Sequence, residues 1–113
     1  LISNETRQVF GDGKRLALDE ALFEHDALVF KGLRSEDIVL KKKGATKGMQ
    51  FIFPDFPFFG MWKKPGAAFI CLEPWCGIAD GTSHDQELIR KEGIIRLEAG
   101  GTFSRSFSII YGG

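Results

Sequence analysis

Neither sign of charge dominates this sequence: fifteen Lys and Arg face fifteen Asp and Glu in 113 residues. Nucleic-acid grooves and anionic membrane surfaces require a field of one sign, so charge points to neither as a partner. The longest basic run, Lys41 to Lys43, is short and belongs on a solvated strand end. No apolar run approaches the roughly 20 residues of a membrane-crossing helix, and no signal peptide opens the chain. Two cysteines, Cys71 and Cys76, are too few for a disulfide scaffold, and free thiols in a cytoplasmic protein are the expectation. The chain begins at Leu1 rather than Met, so the missing signal weighs less than usual and a processed or truncated start is expected.

What the chain does have is turn-forming and aromatic residues: fourteen Gly and eleven Phe against a single Tyr. Few stretches have the 3.6-residue period of a long amphipathic helix. Residues 1–15, polar and turn-rich, read as a connection, and Arg15 to Phe23 permits a short helical turn or two. From there the pattern is β. Ala27 to Phe30, Asp37 to Leu40, Gly48 to Phe53, Phe58 to Trp62 and Ala67 to Glu73 are each bounded by Gly, Pro or Lys. Pro54 and Pro57 interrupt pairing, because proline has no N–H for a ladder. Lys63-Lys64-Pro65-Gly66 reads as a tight turn. Gly93 to Leu97 and Thr102 to Tyr111 close the chain. In the last of these, Phe103, Phe107, Ile109 and Tyr111 share one face and Ser104, Ser106 and Ser108 the other, the signature of a half-buried antiparallel strand. The expectation is an antiparallel all-β chain of roughly seven or eight strands, with no internal repeat and no second domain.

Chemistry is best sought in Phe69-Ile-Cys-Leu-Glu-Pro-Trp-Cys-Gly-Ile-Ala-Asp80. Alternation places Phe69, Cys71 and Glu73 on one side and Ala68, Ile70 and Leu72 on the other. A carboxylate closing an otherwise uncharged strand is unusual, since burying a charge without a partner is costly. Pro74 is expected to end the strand, and Trp75 sets a flat apolar surface beside the acid. Carboxylate plus aromatic ring is a common way to hold a sugar, the first accepting from hydroxyls and the second covering C–H faces. The plainer alternative is that Glu73 caps a loop or pairs with Lys63 or Arg90. Glu24-His25-Asp26 forms a second cluster ahead of an apolar strand, with an isolated surface histidine as its alternative. Asp80-Gly-Thr-Ser-His-Asp85 reads as a turn, or else a ligand contact. No metal site is expected from Cys71, Cys76, His25 and His84, because Cys71 belongs to a packed strand and is not presented as a ligand. Phosphate-loop and serine-nucleophile motifs are missing.

Taken in order, Phe23-Glu-His-Asp-Ala-Leu-Val-Phe-Lys-Gly-Leu33, Phe53-Pro-Asp-Phe-Pro-Phe-Phe-Gly-Met-Trp62 and Cys71-Leu-Glu-Pro-Trp-Cys-Gly-Ile-Ala-Asp80 resemble the C-terminal half of the aldose 1-epimerase (galactose mutarotase-like) family, in its LacX-like branch. Lys91 to Glu98 and the closing Thr-Phe-Ser strand fit the same ending, so the resemblance runs from about Leu16 to Tyr111. It implies a galactose mutarotase-like β-supersandwich, of which residues 1–113 are the C-terminal portion of a single domain. It implies an aldohexose as the small-molecule partner, bound on a concave sheet face, with no cofactor and no metal. A late glutamate removes the anomeric hydroxyl proton while a histidine protonates the ring oxygen. Glu73 matches that base. Asp26 matches the acidic residue holding sugar hydroxyls, His25 is its neighbour in the pocket, and Trp62 and Trp75 match pocket walls.

The chain departs from the family where the acid should be. The family's acid histidine, a second histidine and an arginine belong to its N-terminal half, and neither His25 nor His84 stands in a matching position. The 113 residues alone are therefore expected to be inactive and to expose unpaired edges and apolar faces. A hexose 6-phosphate as substrate would need a basic cluster, for which Arg34, Lys63 and Lys64 are the candidates. A carbohydrate-binding protein without catalysis is the reading from another class.

Overall fold

A computed structural model describes residues 15–24 and 26–112. Within them six strands form two antiparallel sheets: β1 (Leu28–Lys31), β4 (Phe58–Trp62) and β5 (Cys71–Trp75) in the order β1-β4-β5, and β2 (Asp37–Leu40), β3 (Met49–Ile52) and β6 (Ser108–Tyr111) in the order β2-β3-β6. The fold is all-β and sandwich-like. The one helical expectation reduces to a 3₁₀ turn over Glu20–Phe23, started by Asp19, whose Oδ1 accepts from the Leu22 N–H at 2.9 Å. Such a cap satisfies an N–H that the first turn leaves without a partner. The connection expected over residues 1–15 lies, but for Arg15, outside the described residues.

Pairing register divides each sheet into two faces, since residues opposite each other point the same way. Leu28 pairs with Met61, Phe30 with Phe59, and Met61 in turn with Leu72. These side chains face the second sheet, where Phe51 and Phe53 meet them. Phe59 stacks on Phe53 with ring centroids 4.5 Å apart and lies 6.2 Å from Phe51. Phe23, Leu28, Phe51, Phe53, Phe59 and Met61 form the buried cluster joining the sheets. Removing each large apolar side chain from water favours the fold by about 1.5–3 kcal/mol.

Several sequence expectations need correcting. Six strands form among the described residues, not seven or eight. Pro74 does not end its strand: β5 continues through it, with Phe59 opposite Pro74 and Phe58 opposite Trp75. On an edge strand a proline's missing N–H can face outward, where no ladder bond is needed. Gly93 to Leu97 forms no strand, because no described neighbour pairs with it, and Ile94, Ile95 and Leu97 stay about half exposed. The final strand begins only at Ser108, and Phe103, Phe107, Ile109 and Tyr111 are all exposed rather than half-buried. Before it, Arg105 donates to the Asp55 carbonyl at 3.1 Å and lies over the Phe103 ring at 4.3 Å, so this segment is held by its side chain and not by a ladder.

The turns match their composition more closely. Lys63 to Gly66 closes with the Ala67 N–H donating to the Lys64 carbonyl, and Gly66 takes φ +77°, open to glycine without strain. Glu20 accepts from Lys63 Nζ at 2.6 Å and from the Gly66 N–H at 3.3 Å. The strand expected from Ala67 begins only at Cys71.

Candidate functional site

The face of the first sheet turned away from the core carries the sequence's best chemical candidates. Its central row is Val29, Gly60 and Glu73; the next rows are Lys31, Phe58 and Trp75 on one side, and Trp62 with Cys71 on the other. Glu73, Trp62 and Trp75 therefore share one surface. Glu73 is half-buried. Among the described residues it has no hydrogen-bond or ion-pair partner. The two cations that could have claimed it are engaged elsewhere: Lys63 with Glu20 at 2.6 Å, and Arg90 with Asp85 at 2.8 Å. Trp62 is braced edge-on by Phe69, ring centroids 6.4 Å apart.

Directly across from Glu73, Gly60 has no side chain, and the Trp75 indole fills the space. A Cβ built on Gly60 would stand 2.7 Å from Cζ2 of Trp75 and 3.1 Å from both Cε2 and Cη2. Sequence reasoning passed over Gly60. A lone glycine inside Phe-Phe-Gly-Met-Trp was nevertheless a readable sign of close approach on a strand.

The segment after β5 walls this surface at its Phe58 end. Lys31 binds Glu92 at 2.8 Å, and Gly93, at φ +77°, sits so close to the Phe58 ring that a Cβ there would come within 2.7 Å of it. Ile78 is buried beneath. An open hollow of about 450 Å³ lies between Trp75, Ile78, Leu88, Lys91, Gly93 and Ile94. Trp75 borders both this hollow and the notch at Gly60. Glu73 and Trp62 do not line the hollow.

His84 lies in that same segment, with Nε2 3.8 Å from Asp80 and Nδ1 3.8 Å from Asp85, and Lys91 Nζ is 3.6 Å from Asp80. The Asp85 carboxyl is held below the ordinary range by the Glu87 N–H, then by Arg90. The acidic turn of the sequence is thus an internally paired clasp, closed by the His84 N–H donating to the Gly81 carbonyl. Among the described residues no group of three or more His, Cys, Asp or Glu is arranged to hold a metal ion.

Asp26 stands apart from Glu73. It is exposed, at φ +90°, and its Oδ1 accepts from the Ala27 N–H at 2.8 Å. It precedes β1, which β4 separates from the strand carrying Glu73, and sits at the Trp62 end of the face. His25, its sequence neighbour, lies outside the described residues.

Two curated proteins of Lactococcus lactis subsp. lactis, "Protein LacX, plasmid" and "Protein LacX, chromosomal", are each 32% identical to this chain over 97 residues. The chain is similar to LacX. The match takes in 85% of this chain but 32% of each LacX protein, so the chain spans about a third of the length of the curated relatives it matches. No protein-family model matches the chain, and no solved structure does.

Proposed function

We propose that this chain carries the base-bearing wall of a sugar site in a LacX-length protein of the aldose 1-epimerase kind, with residues 1–113 as the C-terminal portion of its β-supersandwich domain. The observation that carries the proposal is a half-buried carboxylate, Glu73, without a partner among the described residues and on the same sheet face as Trp62 and Trp75. A carboxylate without a cation beside it keeps its lone pairs available for a hydroxyl, and flat indoles beside it cover the apolar C–H face of a pyranose. The similarity to LacX over most of the chain supports the family resemblance without assigning the activity.

In the proposed reaction Glu73 accepts the proton of the C1 hydroxyl of an aldohexose while the bond between C1 and the ring oxygen breaks. An acid outside the described residues supplies a proton to that oxygen. Rotation about C1–C2 and the reverse transfers close the other anomer, so no proton or electron is gained or lost overall and no cofactor enters. Trp62 and Trp75 are walls of the site. Asp26, at the Trp62 end, and His25, which lies outside the described residues, are proposed as contacts to sugar hydroxyls. Cys71 and Cys76, both free, suit a reducing cytoplasm. Among the described residues no helix is long and apolar enough to cross a membrane.

The reading as a carbohydrate-binding protein without catalysis draws on a specific observation: His84, the histidine among the described residues, is engaged in the 80–91 clasp and not beside Glu73. A hexose 6-phosphate has less support, since Lys63 is committed to Glu20. A coupled glucose dehydrogenase assay on the LacX-length protein, beside its Glu73→Gln variant, decides between them. The expected result is accelerated anomer exchange that falls by about 10²–10⁴-fold in the variant. Equal acceleration by both removes Glu73 from the role of base, and saturable sugar binding without acceleration favours the binding protein.

A further inference from the structure

We propose that Gly60 is a positioning residue for the sugar platform, its bare backbone serving as the seat on which the Trp75 indole lies beside Glu73. This rests on the sugar reading of the Glu73 face and adds to it the element that sets the height and tilt of one wall. On β4 the residues of this face run Phe58, Gly60, Trp62, so the glycine is a notch between two large aromatic side chains. Trp75 is opposite Phe58 in the register, yet its six-membered ring reaches diagonally over Gly60, 2.7 Å from where a Cβ would stand. The Phe58 side is already taken, because Gly93 packs against that ring and Glu92 is tied to Lys31. The notch is therefore where the indole comes to rest, in the row of Glu73.

The arrangement fits a closed aldohexopyranose. The outer π face of an indole lying flat in the notch accepts the C–H face of one sugar ring. A hydroxyl at the rim of that ring then meets the partner-free carboxylate. Any side chain at position 60 lifts the benzo edge of Trp75 and tilts the platform away from Glu73, while the strand pairing itself remains.

Indole N–H resonances test this on the 113-residue chain, which has two tryptophans, each identified by its own Trp→Phe variant. In sugar-free protein, Gly60→Ala is expected to shift the Trp75 resonance and leave that of Trp62 in place; an unmoved Trp75 resonance overturns the seat. Titration of the LacX-length protein with D-galactose and D-glucose, its Trp75 resonance identified by the same Trp→Phe variant, is expected to shift that resonance saturably. Calorimetry should give a Kd at least tenfold higher in Gly60→Ala. The double variant Gly60→Ala/Trp75→Phe is expected to match Trp75→Phe alone, because the shorter ring does not reach the added methyl group. Independent, multiplying losses in the double variant overturn the coupling between the two residues. A Trp75 resonance that moves in Gly60→Ala, with no saturable response to either sugar in any variant, overturns the platform role. That failure belongs to the sugar reading of the face and not to the seat.

Discussion

β4 and β6 carry the same kind of residue toward the space between the sheets, and they end in opposite surroundings. Phe59 and Met61 of β4 are 1% and 7% exposed; Ile109 and Tyr111 of β6, which lie opposite Phe51 and Met49 on the core-facing side, are 43% and 78% exposed. β4 has a strand on each side and phenylalanines above it. Among the described residues β6 is an edge paired to β3 alone, and just before it Phe107 stacks on Phe51 at 5.3 Å. Alternation in a sequence announces that a strand has an apolar face. It does not announce that anything covers that face.

The sharpest way to break this comparison is to truncate one residue on each strand. Phe59→Ala removes a ring stacked between Phe53 and Phe51 and leaves a cavity, with an expected loss of about 3–5 kcal/mol in denaturant unfolding. Tyr111→Ala on β6 should stay within about 0.5 kcal/mol, because the ring is already in water. Comparable losses at both positions would show that β6 is covered in solution, and the contrast between the strands would fail.

The site and the fold were legible in the sequence to different depths. β4 was bounded correctly because its apolar run met Pro57 at one end and Lys63 at the other, and β2 because the charged Glu36 and the Lys41 run flank it. The side of the sheet shared by Cys71 and Glu73 followed from parity alone. Trp75 joins them by the same parity once β5 runs on through Pro74, whereas Trp62 came to that side through the register of β4 on β5, a long-range fact that no local pattern contains. The freedom of Glu73 also depended on distant pairings, since Lys63 had first to meet Glu20, and Arg90 to meet Asp85. Gly60 carried a local signal, a glycine inside a strand, but its meaning required knowing which ring would lie upon it.

Pro74 offers a finer test of what an edge permits. Local reasoning made it a strand terminator, whereas the order β1-β4-β5 makes it harmless, because β5 has β4 on one side and no described strand on the other. Pro74→Ala should therefore leave β5 paired and cost about 0.4–1 kcal/mol, mainly through the greater freedom of the unfolded chain. The new amide at position 74 should exchange with solvent quickly, having no ladder acceptor, while amides of β4 exchange slowly. A protected amide there would mean that a further strand or chain lies against β5.

The smallest expected effect comes from the pair of Glu20 and Lys63 at the turn between β4 and β5. Glu20 is held below its ordinary value, first by the hydrogen bond from Lys63 and then by the Gly66 N–H. A carboxyl with a lowered folded-state pKa contributes stability above its unfolded value, and that contribution disappears as the pH falls through the folded value. The melting temperatures of wild type and Glu20→Gln should thus differ most near neutral pH and converge in acid. The gap should also narrow with added salt, because the carboxylate side chain is 60% exposed and screened. A gap that widens toward acid would reverse the sign of the linkage and remove Glu20 as a charged anchor of the 63–66 turn.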